Sequence, residues 1–219
     1  EVEVGVAQRV VIVGMGASGS AAASLAVSMG AEVVGVDLRD TVAPIDGVRL
    51  ELGPHRRQTF LDADLVVVSP GVPYSQPDVL AAEVAGIPVI GELGFAASFL
   101  DIPIIGITGT NGKSTVTHFV GQLLADQQIF VGGNLGNPLS NAVGGGDYSW
   151  LVVEVSSYQL ERAGDFAPRV GAVLNLTPDH LARHGTMDEY AAVKARLFQH
   201  MNAFDFALVP ADPRIERAT

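Results

Sequence analysis

Residues 101–126 read DIPIIGITGTNGKSTVTHFVGQLLAD: an apolar run, a glycine-rich turn and a helical stretch, the order of a strand–loop–helix unit. The turn closes on Gly112-Lys113-Ser114, the end of a phosphate-binding loop. In such a loop backbone N–H groups cradle phosphates, the lysine reaches the terminal phosphates and the hydroxyl reaches a magnesium ion. The spacing departs from the strict G-x-x-x-x-G-K-[S/T] pattern. Its first glycine should fall at Ile107, and glycines stand instead at Gly106 and Gly109.

Upstream, Arg9 opens VVIVG, followed by Gly14-Met15-Gly16-Ala17-Ser18-Gly19, an alanine-rich helical stretch ending near Gly30, and EVVGVD ending at Asp37. The spacing and context fit a dinucleotide fingerprint, in which glycines allow a tight turn and a helix N-terminus favours an anion. Arg39, a cation beside Asp37, fits the 2′-phosphate of NADP, so nicotinamide binding stays open here, as does a role for the glycines in helix–sheet packing alone. ADLVVVSPGVP, DVLAAEVAGIP and PVIGELGF continue as strand, helix, and a short strand with exit. Residues 1–100 therefore read as a Rossmann-like α/β domain. Downstream, YSWLVVEVSS, VGAVLNLTPDH and FDFALVPAD are apolar runs ending in polar residues, with YAAVKARLFQHM an amphipathic helix between the last two. Residues 101–219 read as a second, P-loop-type parallel α/β domain. The chain stops at PRIERAT without a closing domain, so this unit is expected to be incomplete.

Composition narrows the chemistry. A net charge of −11 argues against a nucleic-acid surface, because phosphate backbones are held by clustered Lys and Arg. No apolar stretch is long enough to cross a bilayer, and the N-terminus lacks a signal-peptide pattern, so a cytoplasmic location is expected. Without cysteine there is no thiolate ligand or nucleophile, and any metal must be held by oxygen or imidazole, which points to magnesium. Glu154 ends an apolar strand, where a carboxylate needs a partner. His180 follows a strand end, where open α/β sheets collect ligands. Lys194, on its own, reads as a lysine on a solvated helix face.

The stretch Gly106-Ile-Thr-Gly-Thr-Asn-Gly-Lys-Ser-Thr115 resembles the ATP loop of the Mur ligase and folylpolyglutamate synthase superfamily, and the departure in spacing is part of the likeness. SPGVP (69–73), GGNLGNPL (132–139), EVSSYQLE (154–161) and NLTPDHLARHGTMDEYAAVKARLF (175–198) extend the resemblance to the Mur ligase family over residues 9–212. It implies an ATP-dependent, ADP-forming amide ligase of bacterial peptidoglycan precursor synthesis, most similar to the branch that joins D-glutamate to UDP-N-acetylmuramoyl-L-alanine through an acyl phosphate. It also implies ATP contacts from Gly109, Thr110, Asn111, Gly112, Lys113, Ser114 and Thr115. One magnesium ion falls to Ser114 and Glu154, and a second to His180 and a carbamylated Lys194; Lys113, Glu154, His180 and Lys194 form the catalytic set. In this family the first domain takes a UDP-sugar, which assigns Ala17, Ser18, Asp37, Leu38, Arg39 and Gly71 to the UDP part and Asn134 and His180 to the muramoyl-alanyl end. The family's amino-acid-binding third domain is absent, so these 219 residues alone are expected not to ligate. A monomer is expected. Alternatives are a family member with another acceptor, an NAD(P)-dependent oxidoreductase, which leaves GTNGKST without a use, and a non-catalytic nucleotide-binding module.

Overall fold

A computed structural model describes residues 8–73 and 75–218; the N-terminal stretch 1–7, read above for targeting signals, lies outside the described residues. The first unit runs β1 (Arg9–Val13), α1 (Ala17–Ser28), β2 (Glu32–Asp37), β3 (Val48–Leu52), α2 (Arg57–Leu61), β4 (Leu65–Val68), α3 (Pro77–Val84), β5 (Val89–Gly91) and α4 (Glu92–Ala97). Its strands are all parallel, in the order β3-β2-β1-β4-β5. Val10 to Val13 are fully buried because helices cover both faces, which is why β1 and β4 are near-continuous valine and isoleucine. Each such side chain contributes about 1.5–3 kcal/mol by leaving water. The chain winds outward from β1 to β3, then crosses back to β4. This reversal opens a crevice at the C-terminal ends of β1 and β4.

Helix α1 lies close against that crevice. A Cβ on Gly19 would stand 1.9 Å from the Gly14 carbonyl oxygen, so only glycine permits the approach. Helix α3 starts where Gln76 caps it, its side-chain oxygen accepting from the backbone of Asp78 (2.7 Å) and Val79 (2.6 Å), with Pro77 in the first turn.

The second unit runs β6 (Ile104–Thr108), α5 (Lys113–Leu123), β7 (Ile129–Gly133), β8 (Trp150–Glu154), α6 (Ser157–Leu160), β9 (Val170–Val173), α7 (Leu181–His184), α8 (Met187–Ala195), β10 (Phe206–Leu208) and α9 (Pro213–Ala218), with a 3-10 turn at Leu139–Ala142. Its parallel order is β10-β9-β6-β8-β7, which places β6 centrally between β8 and β9. The loop after β6 is thereby flanked by the ends of both neighbours.

Several elements differ from the sequence reading. GELGF is not an exit: after Gly91 the chain turns into α4, whose Leu93, Phe95 and Ala96 are buried in a core shared by both units. VRLEL, too polar to announce itself, pairs with β2 as the edge strand β3. Helix α8 ends at Ala195, and Arg196–Phe198 tighten into a 3-10 turn. The two units are also clasped by polar groups. The buried Glu92 carboxyl accepts from the Ser140 backbone N–H (2.8 Å) and hydroxyl (2.7 Å), and burial raises its pKa above the ordinary carboxyl value.

Candidate functional site

At the crevice between β1 and β4 lies a cleft of ≈470 Å³, within the size range of small-molecule sites. Ala17, Ser18, Asp37, Leu38, Arg39 and Gly71 line it, as does Asn134 from the second unit. Asp37, at the end of β2, is held by the Met15 N–H (2.7 Å), the Arg39 N–H (2.9 Å) and the Arg39 guanidinium (Nε 2.9 Å, Nη2 2.7 Å). The Arg39 guanidinium beside it holds its carboxyl well below the usual carboxylate range. Arg39 also donates to the Met15 carbonyl (2.9 Å), which fixes the guanidinium over the glycine turn. His55 and Gln76 line the same cleft, with Gln76 Nε2 2.8 Å from His55 Nδ1. The sequence reading missed both, since neither belongs to a motif.

The phosphate loop after β6 is shaped by a left-handed Gly112 (φ 81°) at the start of α5. Asn175, just beyond β9, braces it: its side-chain oxygen accepts from the N–H of Thr110 (3.1 Å) and Asn111 (2.9 Å), and its amide donates to the Asn111 carbonyl (2.9 Å). Asn175 was not singled out as a site residue, although NLTPDH at the end of an apolar run carried the signal. Lys113 turns back on the loop, donating to the carbonyls of Gly109 (3.1 Å) and Thr110 (2.9 Å).

Ser114 lies in the first turn of α5, which follows β6, and Glu154 ends the neighbouring strand β8, so the Ser114 hydroxyl donates to Glu154 Oε2 at 2.6 Å. The Asn134 amide donates to Glu154 Oε1 at 2.7 Å. Glu154 is buried, and among the described residues no Lys, Arg or His forms an ion pair with it. A buried carboxylate with a hydroxyl beside it and no counter-charge suits a hard cation, so these two residues fit the magnesium site expected of them.

Lys194 is not on a solvated face. It is 1% exposed, its Nζ donating to the Gly109 carbonyl at 2.8 Å and lying 4.5 Å from the centre of the Tyr190 ring. Burial, and then the neighbouring Lys113 charge, lower its pKa from the ordinary 10.5 to about 7. The Tyr190 hydroxyl in turn sits 3.4 Å from Thr110 Oγ1. His180 stands apart from the residues that line the cleft. Its Nδ1 is 3.2 Å from the Tyr158 hydroxyl and its Nε2 3.4 Å from Asp179. The structure thus joins Ser114, Glu154 and Asn134 directly and ties Lys194 and Lys113 to one carbonyl. Among the described residues it gathers no cluster of three or more Asp, Glu or His side chains suited to a metal. No helix among them is long and apolar enough to cross a membrane.

Comparison with known proteins fits this arrangement. The Mur ligase middle domain matches residues 107–219, and the Mur ligase MurD-like N-terminal domain matches residues 8–91. The UDP-N-acetylmuramoylalanine--D-glutamate ligase of Anaeromyxobacter dehalogenans is 50% identical over 218 residues, covering 94% of this chain and 47% of that protein. The protein of the same name from Koribacter versatilis is 44% identical over 216 residues, covering 94% and 48%. The chain spans about half the length of the curated relatives it matches. Among solved structures, the UDP-N-acetylmuramate-alanine ligase MurC of Thermotoga maritima aligns over 96% of this chain and 51% of its own, at 22% identity and a TM-score of 0.56. The murein peptide ligase mpl of Psychrobacter arcticus aligns over 96% and 51%, at 19% identity and a TM-score of 0.60. These two share the fold of two parallel α/β units. With its phosphate loop, its braced strand ends and a middle-domain match over more than half of its residues, the chain belongs to the Mur ligase family.

Proposed function

We propose that this chain supplies the UDP-sugar-binding and ATP-binding portions of a bacterial, cytoplasmic ligase that joins D-glutamate to UDP-N-acetylmuramoyl-L-alanine. The observation that carries this reading is the double role of Asn134: it lines the first-unit cleft and donates to Glu154, which accepts from Ser114 of the phosphate loop. A ligand seated by its nucleotide in the cleft can therefore present its far end at the phosphate loop. The 44–50% identical relatives named for that ligation support the choice of acceptor.

In this reading an oxygen of the alanine carboxylate takes the γ-phosphoryl group of ATP, ADP leaves, and an acyl phosphate forms. The amine of D-glutamate then attacks the acyl carbon, loses a proton, and phosphate departs. No side-chain nucleophile is needed, so catalysis rests on positioning and electrostatics. Lys113, at the mouth of the loop, leaves its two carbonyl partners for the phosphates. Ser114 and Glu154 would hold one magnesium ion, and His180 with a carbamate on Lys194 would serve a second. The ions, when bound, neutralise charge developing on the transferred phosphoryl group. A lysine with a pKa of about 7 is substantially neutral at that pH, and a neutral amine is the form that captures carbon dioxide.

Calorimetric titration of the purified chain with UDP-N-acetylmuramoyl-L-alanine, NADH and NADPH tests the reading. Binding of the UDP-sugar alone is expected. Binding of a nicotinamide nucleotide alone would make the first loop an ordinary dinucleotide site.

A further inference from the structure

From the cleft to His180 runs a chain of contacts whose linking residues, Arg183, Glu161 and Tyr158, have no part in the proposed reaction. Arg183, on α7, reaches out of the second unit and donates from Nη2 to the carbonyl of Val72 at 3.1 Å. Val72 belongs to the 69–73 loop, whose Ser69, Pro70, Gly71, Val72 and Pro73 line the cleft. The guanidinium is aimed there by Glu161, which accepts from Nε (2.9 Å) and Nη2 (2.5 Å) in a two-point fork. The same guanidinium lies 4.3 Å over the Tyr158 ring, a cation–π contact. The Tyr158 hydroxyl is 3.2 Å from His180 Nδ1, and the two rings are 5.1 Å apart.

His180 needs such support. Its φ of 52° is the only left-handed backbone conformation at a non-glycine residue among those described, and it costs about 1–2 kcal/mol unless neighbours over-determine it. The His180 carbonyl accepts from the Arg183 N–H at 2.9 Å, so the backbone that carries the strain also carries the arginine.

We propose that Arg183 and Tyr158 are positioning residues that hold the His180 ring in fixed register with the 69–73 loop, so that a ligand spanning cleft and phosphate loop meets both ends correctly placed. The role toward substrate rests on the function proposed above; the mechanical link between loop and ring does not. A nucleotide confined to the cleft feels only the loop. A nucleotide-sugar long enough to reach His180 feels the register.

The test uses Tyr158→Phe, which keeps the ring under Arg183 but removes the hydroxyl, and Arg183→Lys, which keeps the charge but loses the fork. Affinities for UDP and for UDP-N-acetylmuramoyl-L-alanine are measured beside the nitrogen-15 resonances of the His180 ring in the ligand-free chain. Both variants are expected to lose about tenfold in affinity for the long ligand and less than about threefold for UDP, one hydrogen-bond energy separating the two. Both are expected to move the His180 ring resonances, although Arg183→Lys changes no side-chain contact of that ring. Unchanged ring resonances in Arg183→Lys overturn the proposal, as does an equal loss for both ligands. If the wild-type chain binds neither ligand, the functional reading fails, and the ring resonances still decide the link.

Discussion

Lys194 and Gly109 lie 85 residues apart in the chain, yet the lysine Nζ donates to the glycine carbonyl at 2.8 Å, a carbonyl that also accepts from Lys113. Two amines on one acceptor, one of them buried, set the protonation of Lys194. Its folded pKa of about 7 lies below the ordinary 10.5, so between those values the unfolded chain keeps a proton that the folded chain has released. Stability contributed by this group therefore rises with pH across that window, and below it the cost of burying the charge is fully present. Lys194→Met is expected to be more stable than the wild type at pH 6, with the difference shrinking toward pH 9.5. Urea midpoints at the two values check it; a constant difference would mean that Lys194 titrates as an ordinary lysine.

Glu154 is a buried carboxylate whose partners are a hydroxyl and an amide. Glu154→Gln keeps the shape and removes the uncompensated charge, so folding stability is expected to hold or to rise by about 1–2 kcal/mol. Magnesium-dependent tightening of ATP binding is expected to disappear in the same variant. Thermal melts and nucleotide titrations with and without magnesium separate the two effects, and retention of the magnesium dependence would remove Glu154 from the metal site.

Asp37 collects four donors from Met15 and Arg39. Because its folded pKa is depressed, its contribution is present above the ordinary 3.8 and is lost as pH falls toward the folded value. Asp37→Asn is expected to cost about 1–3 kcal/mol at neutral pH and progressively less below pH 3.8. Weaker UDP binding should accompany it, since the Arg39 guanidinium that Asp37 anchors lines the cleft. Stability curves against pH for both proteins provide the comparison.

Gly19 faces the Gly14 carbonyl so closely that a methyl group has nowhere to go. Gly19→Ala is expected to push α1 off the sheet, costing at least about 2 kcal/mol and weakening UDP binding. Gly16→Ala, where a Cβ meets nothing within 4 Å, serves as the control for stability. Equal melting temperatures for the two variants would show that α1 does not depend on that contact.

Much of the site was legible because its chemistry is local. The strand, glycine turn and helix around Lys113 are contiguous, and the GTNGKST loop needs no partner elsewhere to announce a phosphate. The same holds for Gly14 to Gly19 and for the end of β2 at Asp37. Legibility failed where a role depends on contacts across the chain. Tyr158, Arg183, His55 and Asn175 gain their positions from residues 22, 111, 21 and 64 places away, and no periodicity encodes those meetings.

The amino-acid sequence by itself determined two parallel α/β units, two glycine-rich loops between strand and helix, and membership of a ligase family, because turn chemistry and apolar runs act over a few residues. Only the tertiary structure decided that Lys194 is a buried, weakly basic amine rather than a surface charge. It also decided that Asn134 both lines the first-unit cleft and donates to Glu154, and that α4 joins the two units in one core. Each of these is set by which groups are excluded from water together, and that exclusion is a property of the packed chain.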